Sequence, residues 1–181
     1  MKKLTILISI FIIQLVNAQG EKDISIFNRV LILNSNNEIL VVKIKNTDFW
    51  VTPGLYQNSE QTIKQGLNSL SETYGIETKP PKLKGMFVLK REINGKTTTS
   101  LRNVYMVKLI SGELKKPKGI EEMKWLSAQN AIKLITFPHI NVMVEQIANH
   151  PNQVWGGTLM QFKEKDMWKT KILEDFYVLS E

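Results

Sequence analysis

Trp50-Val-Thr-Pro-Gly54-Leu-Tyr-Gln-Asn-Ser-Glu60, continuing Gln-Thr-Ile-Lys-Gln-Gly-Leu-Asn-Ser-Leu70-Ser-Glu-Thr-Tyr-Gly75-Ile76, is the stretch on which the fold of this chain turns. It reads as a strand, a tight turn, a loop, one amphipathic helix and a glycine stop. Ile63, Leu67, Leu70 and Tyr74 recur at three- and four-residue steps, which gives a helix one apolar stripe. Ser59 is placed to cap that helix by accepting from an orphan N–H, and Glu60 to sit in its first turn, where the helix dipole favours a carboxylate. Gly75 supplies the left-handed residue that ends helices. Positions 69, 72 and 73 are also related by steps of three and four. Ser69, Glu72 and Thr73 therefore converge on one face, turned away from the apolar stripe.

On either side of this stretch the pattern is mostly β. Residues 29–34 and 39–45 are β-rich runs joined by Ser35-Asn36-Asn37-Glu38, a cluster of turn formers, and predict a hairpin. After the helix, Lys79-Pro80-Pro81 forbids helix continuation and leads into a strand over residues 83–92. Asn94-Gly95 is a strong hairpin signal and pairs that strand with residues 97–109. Residues 119–126 read as another short strand, and Ser127 as the cap of a helix over 128–135. A further helix is expected over residues 138–148, with His139 near its start and His150 at its end. Residues 153–162 and 167–179, separated by polar Lys163-Glu-Lys-Asp166, predict a C-terminal hairpin. Its Trp155, Phe162, Trp168, Phe176 and Tyr177 read as a docked aromatic patch, with a ligand wall as the alternative. Strands, one helix, strands and then helices suggest a mixed sheet covered on both faces.

The spacing Gly54, five residues, Glu60, eleven residues, Glu72, two residues and Gly75-Ile76 resembles the Nudix box, G-x5-E-x7-R-E-U-x-E-E-x-G-U, with U aliphatic. Gly54, Glu60, Leu70, Glu72, Gly75 and Ile76 match in register. Asn68, Ser69 and Thr73 stand where the family has Arg, Glu and Glu. The opening hairpin followed by W-x-x-P-G, and the acidic-then-Trp-Leu-Ser strand feeding a helix, resemble the same family, so the likeness spans residues 24–135. It implies an α/β chain: a Nudix-type α/β/α sandwich with a mixed β-sheet over residues 19–150, to which residues 151–181 add a C-terminal β-hairpin extension.

The resemblance also implies chemistry: cleavage of a phosphoanhydride with Mg or Mn held by carboxylates on one helix face. In the family the residues at positions 69 and 73 are metal ligands; here Ser69 and Thr73 leave Glu72 alone. One carboxylate with two hydroxyls is a poor magnesium site, because neutral hydroxyls do not offset the stripping of water from a doubly charged ion. Asn68 and Ser69 together remove both partners of an arginine–glutamate pair, which reads as a coherent neutral replacement. The face that results, Thr62, Gln65, Ser69, Glu72 and Thr73, forms with Gly54 the candidate ligand-binding set, suited to hydroxyl-rich or amide ligands; a plain solvent-facing helix is the alternative. Glu121 and Glu122, brought across the sheet to Glu72, would rebuild a single-metal centre with Glu72 as the catalytic carboxylate.

The leading functional expectation is therefore a degenerate Nudix-like protein that binds a small molecule or a partner. The alternative is a Mg- or Mn-dependent hydrolase of nucleoside diphosphate-linked compounds that uses a relocated carboxylate set. A third reading is an interaction protein with its C-terminal hairpin against a protein partner, which requires an exposed apolar patch larger than a few hundred Å².

Residues 1–18 read as a secretory signal: Lys2 and Lys3, a 13-residue largely apolar run from position 4 to 16, and Val16-Asn17-Ala18 at the cleavage position. The run falls short of the roughly 20 residues of a membrane span, so export to the periplasm or medium is expected, with an uncleaved anchor as the alternative. Once the leader is removed, no stable membrane span remains in the sequence. The chain has no cysteine, which excludes disulfides, thiolate metal sites and lipid attachment at a cleavage-site cysteine. Losing the leader takes the formal charge from +7 to +5. The remaining lysines are scattered without aromatic interleaving or a nucleic-acid motif, so a solvated basic surface, and no nucleic-acid partner, is expected.

Overall fold

The computed structural model of the chain describes residues 24–181; the leader read at residues 1–18 lies outside them. Its elements are β1 (Ser25–Leu33), β2 (Ile39–Ile44), β3 (Trp50–Val51), β4 (Gly54–Tyr56), α1 (Ile63–Thr73), β5 (Ile76–Thr78), β6 (Lys82–Ile93), β7 (Lys96–Gly112), β8 (Ile120–Leu126), α2 (Ala128–Leu134), α3 (Pro138–Asn149), β9 (Val154–Glu164) and β10 (Met167–Ser180). The sheet runs β10-β9-β6-β7-β1-β2-β3, with β4 on β1, β5 on β7 and β8 on β2. Two of its pairings are parallel, β1 with β7 and β6 with β9; the others are antiparallel. Among the described residues no helix is long and apolar enough to cross a membrane.

Alternation along the central strands builds two separate cores, one on each face of the sheet. Val30, Ile32, Leu40 and Val42 pack beneath α1 with Leu67 and Tyr74. Leu31, Leu33, Val41 and Leu89 pack on the other face beneath α3, against Met143 and Ile147. Each fully buried side chain of this kind stabilises the fold by about 1.5–3 kcal/mol. The expected α/β sandwich, a mixed sheet with helices on both faces, is the architecture observed.

Local readings hold where backbone chemistry dictates them. Asn94 and Gly95 both take positive φ, 51° and 73°, in the turn between β6 and β7, and Gly75 ends α1 at φ 68°. Ser127 caps α2, its Oγ accepting from the Asn130 N–H at 3.4 Å.

Four local expectations are corrected. Thr62, not Ser59, caps α1: its Oγ1 accepts from the Gln65 N–H at 3.2 Å while Gln65 Oε1 accepts from the Thr62 N–H at 2.8 Å. This reciprocal capping box satisfies two groups at once, which Ser59 has no partner to do. Glu60 consequently precedes the helix, whose first turn holds no acid. Ile63 falls off the apolar stripe and is 42 % exposed, because α1 starts there and Gly66 instead faces inward against Leu55. The opening strands meet only at Leu33 opposite Ile39 and then splay, β1 pairing with β4 and β7, and β2 with β3 and β8.

The C-terminal hairpin of residues 151–181 continues the main sheet, β9 lying beside β6. Residues 155–161 run parallel to residues 85–91. Phe176 packs edge-on against Phe87 at 5.5 Å. Gly156 and Gly157 allow this: a Cβ on either would collide with the ring of Tyr177 or Phe176 at 2.6 or 2.7 Å. Trp155 is buried and Trp168 lies 5.6 Å from Phe137, so these two dock inward with Phe176, whereas Tyr177, expected in the same docked patch, is 46 % exposed.

Candidate functional site

The outer side of α1 carries the residues expected to meet a ligand. Ser69, Glu72 and Thr73 are exposed, as the helical steps require. Thr73 Oγ1 donates to the Ser69 carbonyl at 2.8 Å, one turn back along the helix. Thr62 and Gln65 are committed to each other in the capping box. Gly54 serves packing: a Cβ there would lie 2.5 Å from the Phe27 ring and 2.8 Å from the Asn28 carbonyl. β4 can approach β1, with Gly54 opposite Arg29, only because the side chain is missing.

The acids expected from across the sheet have other partners. Glu121 Oε1 lies 3.3 Å from Lys43 Nζ, and Glu122 Oε1 3.0 Å from Lys124 Nζ. Among the described residues no three acidic or histidine side chains are grouped to hold a metal, so Glu72, Glu121 and Glu122 are not gathered into one centre. A single carboxylate flanked by Ser69 and Thr73, one hydroxyl already donating to backbone, does not fit a magnesium ion that needs several anionic oxygens.

The opposite face of the sheet holds a pocket of a different kind. Alternation places Phe27 and Arg29 of β1, Arg102 of β7 and Arg91 of β6 on the α3 side, in line with the buried Leu31, Val104 and Leu89. The β1–β7 register sets Arg102 directly beside Phe27. The N-terminus of α3 closes over these residues with Phe137 and His139. Pro138 starts that helix and Phe137 offers no side-chain acceptor to cap it, so the positive end of the helix is left without a side-chain cap. The half-open cavity is about 190 Å³, walled also by Tyr56 and Thr52.

The electrostatics of this pocket are one-sided. Arg29 is 4 % exposed, Arg102 5 % and His139 3 %, and among the described residues no carboxylate lines the cavity. Among the described residues none of Arg29, Arg91 and Arg102 joins an ion pair. Burial, reinforced by the charge of Arg102, lowers the Arg29 pKa to about 9. Burial also lowers that of Arg102, with the Tyr56 hydroxyl opposing the shift. Burial first, then Arg29, Arg102 and Arg91, hold His139 well below the ordinary histidine range, so it is neutral at pH 7. Arg29 is fixed by Thr52, whose carbonyl and Oγ1 accept from its Nη1 at 3.1 and 2.8 Å. The W-x-x-P-G loop thus anchors a buried arginine. Arg91 Nε donates to Gln161 Oε1 at 3.0 Å.

Of these pocket residues the sequence marks only His139, as a helix-start residue, and none as part of a site. The signal that finds the arginines is the strand period: Arg29 precedes Leu31 and Leu33 by two and four, Arg102 precedes Val104 and Met106 by two and four, and Arg91 follows Leu89 by two. An arginine in phase with buried aliphatics is a charge carried into the core.

No protein-family model matches the chain, and no curated protein matches it significantly. Solved structures do match. The MutT protein from Bacillus halodurans superimposes with a TM-score of 0.63 at 16 % identity, covering 86 % of this chain and 98 % of that one. The MutT protein from Methanosarcina mazei Go1 gives 0.58 at 18 % identity, covering 75 % of this chain and 100 % of the other. A NUDIX hydrolase from Nitrosomonas europaea gives 0.56 at 16 % identity, covering 70 % and 90 %. A likeness of this kind, together with the box frame carried by α1, settles the architecture: the chain has the Nudix hydrolase fold.

Proposed function

We propose that this protein is an exported Nudix-fold binding protein, one that holds a small molecule without hydrolysing it. The observation that carries the reading is the box helix: Glu72 stands on it with Ser69 and Thr73 where a metal-dependent enzyme needs carboxylates, while Glu121 and Glu122 are paired with lysines. The neutralised box removes the electrostatic stabilisation that a phosphoanhydride transition state requires from bound cations. A pocket persists on the other face of the sheet, walled by aromatic and cationic side chains, and is the natural seat for a ligand. The basic start and apolar run of residues 1–18 support export.

The test is an activity panel. The protein is incubated with nucleotide sugars, dinucleotides and nucleoside triphosphates plus magnesium or manganese, and released phosphate is assayed. No release above the protein-free control is expected. Turnover that disappears in Glu72→Gln would overturn the reading and establish a metal-dependent hydrolase.

A further inference from the structure

We infer that the cavity between β1, β7 and the N-terminus of α3 binds a small organic oxyanion, a carboxylate or a phosphate monoester, through Arg29 and Arg102 and without a metal. The inference rests on the binding reading above and names its ligand class.

Three observations carry it. First, the cations are buried without a counter-charge among the described residues: Arg29, Arg102 and His139 are each less than a tenth exposed, and none of the described residues lining the cavity is an acid. Leaving guanidinium groups unpaired in a low-dielectric setting is costly, and an anion seated between them relieves that cost. Second, the orphaned polar atoms of the cavity wall are nitrogens. Among the described residues Arg29 Nε and Arg102 Nε are buried with no partner, and both are donors; Gln161, whose amide oxygen accepts from Arg91 of the wall, leaves its Nε2 donor unpartnered too. His139 Nδ1 is also unpartnered and donates when the neutral ring carries its proton there. A site short of acceptors calls for a ligand that supplies them, and the planar fork of arginine matches two oxygens at once.

Third, the volume and walls limit what the oxyanion is attached to. The half-open cavity of about 190 Å³ is below the roughly 300–1,000 Å³ typical of drug-sized ligands, so it takes an anionic head and a short body, and anything larger extends into solvent. Phe27 lines the cavity beside the charge, with both guanidinium carbons 5.1 Å from its ring centre. Tyr56 packs edge-on against Phe27 at 4.9 Å, and Phe137 also lines the cavity. These rings suit a short apolar or aromatic body behind the anionic head.

The experiment is thermal unfolding of the full chain at constant ionic strength, in chloride and then with inorganic phosphate, phenyl phosphate or benzoate. The wild-type Tm is expected to rise by about 5–10 °C at a ligand concentration roughly a hundredfold above Kd, and the larger rise between the phosphate and carboxylate arms identifies the head group. Arg102→Met is expected to lose this increment while melting higher than wild type in chloride, because it removes an unpaired buried charge. An equal increment in both proteins, or none in wild type, overturns the inference. Should Arg102→Met fail to fold, the arginine Nε–H resonances of the wild type decide: Arg29 and Arg102 shift as phenyl phosphate or benzoate is added if the assignment holds, and unmoved resonances sink it. A hydrolysis signal in the activity panel would defeat the binding reading, yet leave this readout intact.

Discussion

Arg29 of β1 and Arg102 of β7 share one aromatic ring, each guanidinium carbon 5.1 Å from the centre of Phe27. Parallel pairing of the two strands sets Phe27 opposite Arg102, and the strand period brings Arg29 to the same face two residues on. Cation–π contact contributes about 0.5–2 kcal/mol in such a setting. It holds two like charges together but supplies neither with a hydrogen-bond acceptor. The pocket is thus assembled around charge that the rest of the described chain does not neutralise.

His139 makes stability depend on pH. Its folded pKa lies well below the ordinary value of 6.5, by burial and then by Arg29, Arg102 and Arg91. The unfolded chain takes up the proton below about pH 6.5 and the folded chain does not, so stability falls as pH drops through that range. The slope reaches up to about 1.4 kcal/mol per pH unit for this one group. Urea midpoints measured between about pH 7.5 and 5 should show it, and His139→Leu should flatten that part of the profile. An unchanged slope in the variant would remove His139 as the cause.

Helix α1 depends on the Thr62–Gln65 capping box. Thr62→Ala is expected to destabilise the protein by about 1 kcal/mol, whereas Ser59→Ala and Glu60→Gln change stability by less than about 0.5 kcal/mol. Denaturant unfolding of the three variants ranks them directly.

The box helix also allows a gain-of-function test. Wild-type Tm should not respond to millimolar magnesium, because Glu72 is its only box carboxylate beyond Glu60. Ser69→Glu combined with Thr73→Glu places three carboxylates on one exposed face. A magnesium-dependent stabilisation of about 1.4 kcal/mol is expected at roughly tenfold excess over Kd, and Glu72→Gln in that background should weaken it.

Leu159 on β9 is fully buried in the α3-side core. Leu159→Ala should therefore cost about 2–5 kcal/mol and leave one cooperative transition. A separate early transition, with the rest of the protein unaffected, would mean that the C-terminal hairpin folds on its own.

Gly54→Ala probes the approach of β4 to β1. The added methyl would lie 2.5 Å from the Phe27 ring and 2.8 Å from the Asn28 carbonyl. Overpacking of this kind costs about 1–3 kcal/mol. Because Phe27 is also the platform for Arg29 and Arg102, the same variant should reduce the anion-dependent rise in Tm.

By itself the sequence determined what is local. Gly75, Asn94-Gly95 and Ser127 fix a helix stop, a hairpin turn and a helix cap through backbone chemistry within a few residues, and the spacing of Gly54, Glu60 and Glu72 resembles a family whose fold the structure has. The periodicity around Leu67, Leu70 and Tyr74 chose the buried side of α1. Tertiary structure alone decided which strand β1 would lie beside, that β9 would extend the sheet along β6, and that Glu121 and Glu122 would face lysines. Those outcomes depend on pairings between residues dozens of positions apart, where strand register, not local preference, sets the neighbours. The pocket is the clearest case. Arg29, Arg91, Arg102 and His139 come from four separate elements and look, one at a time, like ordinary surface cations; only the packing of α3 onto the sheet buries Arg29, Arg102 and His139 beside Arg91 and turns four scattered charges and donors into one site.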